Sequence, residues 1–246
     1  MRTIYREHLN AFSEDLQIMS DTVRTVMTYA SKALIDGSLD DAEAALTEAD
    51  TLKEIRVRCE ERSMALLALE SPVASDLRQV FTSIYIVEDF NRMGALARHI
   101  ASTARLRHPD YVYDESMRPT VVELARLVDT MSDLIHDQLI SPDVDGALEM
   151  SKFDDELDSL NQHLLSTVTA RDWEGSNRVA VDLALVGRYY ERYADHCVNV
   201  AARIVFLVTG LTPERYVSKQ DSEGQDVVMD ERFRELERYF GQGRRR

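Results

Sequence analysis

Four acidic residues in the second half of this 246-residue chain stand at spacings that bring carboxylates together. Glu191 and Asp195 lie four residues apart in the stretch GRYYERYADHCVN (187–199). On a helix both side chains therefore leave one face, one turn apart. They fall on a stripe that also holds Ala184, Val198, Ala202 and Val205. Acids among small and apolar residues call for a partner, a proton or a cation, because burying an unpaired carboxylate is costly. Upstream, FDDELDSL (153–160) places Asp154 and Asp158 four apart again, flanking the apolar stripe Leu157, Leu160 and Leu164. On adjacent antiparallel helices the two pairs would face each other and offer four carboxylates to one place. Hard oxygen donors of this kind suit Mg, Mn, Fe or Ca rather than a thiolate-bound metal. The alternative is a structural ion-pair network with Arg188 or Arg192.

The first half carries an altered copy of the pattern. NRMGALARHIA (91–101) matches ERYADHCVNV (191–200) at constant spacing, which is the mark of an internal duplication. Asp50 and Glu54 repeat the four-residue acid spacing, but Asn91 and Ala95 stand where the second half has Glu191 and Asp195. His99 falls where Asn199 falls, and both are secondary candidates for a ligand position. Glu88 and Asp89, one turn earlier, are expected to be solvated. Ala95 offers no ligand atom, so the first-half site is expected to be weaker or lost.

The elements that must position these residues are long helices. The apolar period of Leu9, Phe12, Leu16, Met19, Val23 and Val26 predicts a first helix over 5–36, closed by Asp36-Gly37-Ser38. A second is expected over 39–69, from Ser38 as its cap, and a third from Pro72 at its first turn to about Ala104. A linker at 108–115 precedes helices over about 118–139, from Ser141-Pro142-Asp143 to about Ala170, and from about 177 to Thr209, ending at Gly210. The expected fold is all-α, two pseudo-symmetric three-helix bundles over 1–107 and 115–210. A flexible polar tail follows over 211–246, with 218–225 unstructured and a short helix possible near 229–240.

Composition narrows the function. The net charge of -15 argues against nucleic-acid binding, which needs clustered Lys and Arg, and against adhesion to an anionic membrane. With no run near the ~20 apolar residues of a spanning helix, no signal-peptide pattern and only two cysteines, the chain reads as cytoplasmic, reduced and not membrane-inserted. Acidity without an evident anion nest counts against direct recognition of phosphate. No Gly-rich phosphate loop, nucleophile elbow or Cys/His triad spacing is present.

Three segments, LLALESPVASDLR (66–78), NRMGALARHIA (91–101) and YERYADHCVN (190–199), resemble the PhoU family of phosphate-transport regulators, of the actinobacterial type. The resemblance covers roughly residues 1–210 and leaves the tail outside. It implies two pseudo-symmetric three-helix bundles and multinuclear metal clusters held by carboxylates of the repeated motifs. Carried over residue by residue, the ligands are Glu191 and Asp195 with Asp154 and Asp158; the carry-over fails at Ala95 and is weak at Asn91. It further implies Fe, Mn, Mg or Zn as the metal, a homodimer, and a cytosolic adaptor without enzymatic activity. That adaptor would couple the phosphate ABC transporter to a sensor histidine kinase and hold phosphate-starvation signalling off when phosphate is ample.

Two other function classes compete with the adaptor. A carboxylate-bridged metalloenzyme of the ferritin-like type expects Glu-x-x-His pairs, and Asp133-x-x-His136 is the nearest relative here. A metal-free helical scaffold would use the acids in ion pairs. Arg78 is expected to form an intrabundle pair with Asp76 or a neighbour, Trp173 to plug the core at the turn before the last helix, and at least one of Tyr189, Tyr190 and Tyr193 to face solvent or a partner.

Overall fold

The structure, a computed structural model, describes residues 2–69 and 75–220. Six long helices account for most of it: α1 (Arg2–Asp36), α2 (Leu39–Leu69), α3 (Ser75–Arg107), α4 (Arg118–Ile140), α5 (Val144–Val168) and α6 (Asn177–Thr209), with a 3-10 turn at Glu115–Met117 before α4. Local chemistry sets their ends. The Ser38 hydroxyl accepts from Asp41 N–H at 3.2 Å, Asp143 accepts from Gly146 N–H at 2.9 Å, and Ser176 accepts from Val179 N–H at 3.2 Å. Each satisfies a donor that the first helical turn leaves without a partner. At the other end of α6, Gly210 takes the left-handed conformation (φ 76°) that closes a helix without a Cβ penalty.

α1, α2 and α3 pack into one bundle and α4, α5 and α6 into a second. Their cores hold residues such as Phe12, Met19, Leu66 and Phe90 in the first, and Leu124, Leu157, Leu183 and Tyr193 in the second. The bundles then join along α3 against α6 and α1 against α4. Along the α3–α6 seam, Tyr85 meets Arg203 (guanidinium 4.3 Å from the ring centroid) and Asp89 meets His196 (2.9 Å). Further along, His99 stacks on Tyr189 (centroids 5.1 Å apart), and Arg107 donates twice to the buried Asp182 (2.6 and 2.9 Å). Rising numbers on α3 meet falling numbers on α6, so the two helices are antiparallel.

Several expectations change here. The linker packs inward: Val112 and Tyr113 are buried, and the Tyr113 hydroxyl donates to the Ile35 carbonyl at 2.6 Å. Ser218 is not in irregular chain, because α7 (Pro213–Gln220) runs through it. The placement of Pro72, the remainder of the tail and the short helix near 229–240 lie outside the described residues. No ion pair joins Arg78 to Asp76 among the described residues; the Arg78 guanidinium instead lies against Gly210 at the end of α6. Trp173 is half-buried against the core, with its indole N–H buried and unpaired. Cys59 and Cys197 are buried free thiols; burial, before any neighbouring charge, pushes Cys59 up to about 12 and Cys197 higher still. No single described helix is long and apolar enough to cross a membrane.

Two tyrosines of α6 knit the structure together. Tyr190 and Tyr193 are fully buried, and their hydroxyls are 2.9 Å from Ser31 of α1 and Ser132 of α4 respectively. The first bond crosses between bundles. Of the three tyrosines, at least one of which is expected to face solvent or a partner, Tyr189 is the least buried, half-buried and stacked on His99. Tyr190→Phe should lower the free energy of unfolding by about 1 kcal/mol, the net value of one buried hydrogen bond. Chemical denaturation of Tyr190→Phe, Ser31→Ala and the double variant should return a coupling of similar size, whereas strictly additive losses would mean that the bond contributes nothing.

Candidate functional site

α5 and α6 lie side by side and bring Asp154 and Asp158 opposite Glu191 and Asp195. The convergence is visible in the electrostatics. Burial and the charges of Asp158, Asp195, Asp155 and Glu191 together push the Asp154 carboxyl up to about 6. Asp158 is also raised, by burial and then by Glu191, Asp195 and Asp155, with Arg188 opposing. Asp158, Glu191 and Asp155 line an open groove of ≈ 690 Å³ together with Asn161 and Arg188. Oδ1 of Asp154 is buried without a hydrogen-bond partner.

The acids do not lie within the buried stripe of α6. That face runs Leu183, Val186, Gly187, Tyr190, Ala194, Cys197, Val200, Ala201 and Ile204, one position away from the line expected through Ala184, Glu191 and Asp195. Glu191 is half-buried at its edge, while Asp195 and Asn199 are exposed. The reason is that α6 packs against α3 on one side and α5 and α4 on others, so most of its circumference is apolar and its polar strip is narrow.

Glu191 is already held. Arg188 donates to its Oε1, and the Asn161 side-chain amide donates to its Oε2 at 3.0 Å. The ion-pair alternative is thus realised for this one acid. Asn161, on the buried face of α5, is a site residue that the spacing of acids did not reveal. It sits directly over Gly187, where a Cβ would overlap its Oδ1. Only glycine at 187 lets the two helices approach closely enough for the amide to reach Glu191. Among the described residues, no group of three or more His, Cys, Asp or Glu side chains is gathered tightly enough to hold a metal ion. The donor set nevertheless fits a hard cation: an unpartnered buried Asp154 oxygen stands among carboxylates that repel one another.

The first bundle resolves the same problem internally. Asp50 accepts from Arg98 of α3 (2.8 Å) and from Lys53 (3.2 Å), and the Arg98 bond, then Lys53, holds its carboxyl below the usual range. Arg98 occupies the register of Val198 in the second copy. Glu54, Ala95 and His99 are exposed and Asn91 is half-buried, and they form no joint site. Glu88 and Asp89, expected to be solvated, are half-buried and engaged by Arg56 (2.9 Å) and His196 (2.9 Å). Asp133 and His136, the nearest approach to a ferritin-like pair, face Arg24 (2.7 Å) and Asp21 (3.7 Å) on the α1–α4 seam, apart from the acids of α5 and α6.

The PhoU domain matches the chain twice, over residues 16–104 and 121–204. The chain is 39% identical over 214 residues to the phosphate-specific transport system accessory protein PhoU homolog 1 of Mycobacterium leprae, spanning 87% of this chain and 96% of that protein. It is 37% identical over 213 residues to PhoU homolog 2 of Mycobacterium tuberculosis, spanning 87% and 100%. Among solved structures it is similar to PhoU from Pseudomonas aeruginosa (TM-score 0.75, 25% identity, 84% of this chain and 100% of that one). The phosphate transport system regulatory protein PhoU from Streptococcus pneumoniae shares the fold (TM-score 0.76, 20% identity, 85% and 98%).

The raised Asp154 carboxyl has a pH consequence of definite sign. Its folded-state value lies above its unfolded one, so the folded chain holds more protons between about pH 4 and pH 6. This group's effect is nil below that window and destabilising above it, so stability falls as pH rises through it. Asp154→Asn, which cannot ionise, should stabilise the metal-free chain by about 1 kcal/mol at pH 8 after allowance for solvent screening. It should be neutral near pH 3. Urea denaturation at the two pH values checks this; an equal effect at both would remove the electrostatic account.

Proposed function

The chain belongs to the PhoU family, and from that premise we propose that it is a non-enzymatic regulator of phosphate uptake that restrains phosphate-starvation signalling. The observation that carries the reading is the double match: both repeats align with the family, and relatives matched over almost their whole length are named as accessory proteins of a phosphate-specific transport system. The partners proposed are the phosphate ABC transporter and a sensor histidine kinase, with the chain as an adaptor between them, acting in the cytoplasm as a homodimer.

A structural metal belongs to the same proposal. Asp154, Asp158 and Asp195 would supply the first carboxylate oxygens, and Glu191 would join them on exchanging the Arg188 guanidinium for the cation. Asn199 lies one turn beyond Asp195 as an outer donor. Fe, Mn, Mg or Zn would each remove the repulsion that raises Asp154 and so stiffen α5 against α6. In the first repeat Asp50, Glu54, Asn91 and His99 are weaker donors, because Arg98 already neutralises Asp50. The bound ion would shape a surface for partners rather than perform a reaction.

Two experiments test these parts separately. Native mass spectrometry after loading with Fe, Mn, Mg or Zn should show bound metal in the wild type and its loss in Asp195→Ala. A wild type that stays metal-free under all four would discard the cofactor while leaving the adaptor role standing. For that role, deletion of the gene should derepress a phosphate-starvation reporter in phosphate-rich medium, and an unchanged reporter would count decisively against it.

A further inference from the structure

The seam between α3 and α6 carries a second groove, which shares Arg188 with the groove beside α5. Its cavity is ≈ 360 Å³, and its charged and polar lining is Arg92 and His99 from α3 with Arg188, Tyr189, Arg192 and His196 from α6. No carboxylate lines it. Asp89 and Glu191 are engaged by two of the lining side chains, His196 and Arg188. In a chain with 44 acidic and 29 basic residues, a groove of this sign is unexpected from composition.

Arg92 and Arg192 occupy the same position of the two repeats, both are exposed, and neither has an ion pair or hydrogen bond among the described residues. Arginines elsewhere along the helices are commonly taken up by carboxylates, as Arg24, Arg56, Arg58, Arg98 and Arg107 are. The antiparallel packing of α3 on α6 sets these two repeat-equivalent guanidinium groups along one groove. Ala95 lines the same groove, at the register where the second repeat has Asp195. An aspartate there would place a carboxylate among the cations; alanine leaves both space and positive potential. The register that carries Asp195 in the second repeat thus carries no charge in the first.

We propose that this groove binds a small anion carrying at least two phosphate groups. Guanidinium forks match phosphate oxygens in pairs, and each phosphate offers acceptors to more than one donor. These side chains are strung along two turns of helix, from Arg92 to His99 on α3 and from Arg188 to His196 on α6, about 10 Å at the rise of an α-helix. A single orthophosphate would reach only part of that row. Binding would tie the two repeats together across their seam, through residues of both. The site stands on its own residues and does not require a metal at the α5–α6 acids.

Isothermal titration calorimetry of the full chain in metal-free buffer tests this, with inorganic diphosphate and orthophosphate as probes. Diphosphate should bind more tightly than orthophosphate, and the affinity should fall as salt is raised. Arg92→Gln and Arg192→Gln should each weaken diphosphate binding about tenfold, and the double variant about a hundredfold, as expected for loss of charge-assisted hydrogen bonds. Arg171→Gln, exposed and outside the groove, should leave it unchanged. Circular dichroism should show the variants folded, since the substituted side chains are on the surface. Absence of diphosphate binding by the wild type, undiminished binding by the double variant, or equal affinity for the two probes would each overturn the proposal. Metal content of the same double variant, read by native mass spectrometry, should equal that of the wild type, which separates this site from the carboxylate cluster.

Discussion

The burial of α6 on several sides is the constraint from which the rest of the molecule follows. α6 closes its own bundle through Tyr193 and its α4 partner Ser132, and closes the whole molecule through Tyr190 and Ser31 of α1. Antiparallel contact with α3 adds a buried aspartate gripped twice by Arg107 and a run of aromatic and imidazole contacts. A helix so enclosed has little surface left for charge. Glu191 and Asp195 lie on the strip beside α5, and Arg192 on the strip beside α3. Two sites of opposite sign on one helix result from this division of its circumference.

The two repeats handle negative charge differently. In the first, carboxylates of α1, α2 and α3 are matched by guanidinium groups on neighbouring helices: Asp15 by Arg58 and Arg62, Asp50 by Arg98, Glu43 by Arg105 and Glu88 by Arg56. In the second, Arg188 meets Glu191, while Asp154 and Asp158 face other acids and rise accordingly. An ion pair with arginine and a bound cation are alternative answers to the same repulsion. The first repeat carries its cations covalently, as arginines, whereas among the described residues Asp154 and Asp158 of the second have no ion pair.

Helix boundaries were legible because the chain marks them with residues of fixed local meaning. Ser38, Asp143 and Ser176 act as caps, and Gly210 terminates α6 in the one conformation that favours glycine. The convergence of Asp154, Asp158, Glu191 and Asp195 was legible from four-residue spacing and an antiparallel pair. What periodicity could not supply was the rotation of α6. When most of a helix is apolar, a stripe drawn one residue off fits the pattern nearly as well, so Asp195 was drawn inward although it is exposed. Asn161 is illegible for a related reason: a single amide on an apolar face carries no spacing signal, and its role depends on Gly187 of another helix. The groove at the seam was likewise hidden, since Arg92 and Arg192 are a hundred residues apart and meet only through packing between repeats.

The two cysteines add a property unrelated to phosphate or metal. Cys59 and Cys197 are each sealed in a bundle core and held in the thiol form by their surroundings. Since the thiolate is the reactive species, neither competes for an alkylating reagent while the chain is folded. The native protein therefore behaves toward such reagents as a cysteine-free scaffold. A cysteine introduced on the surface of either bundle becomes the single point at which a fluorophore or spin label attaches, and distances across the seam become measurable without any change to the core.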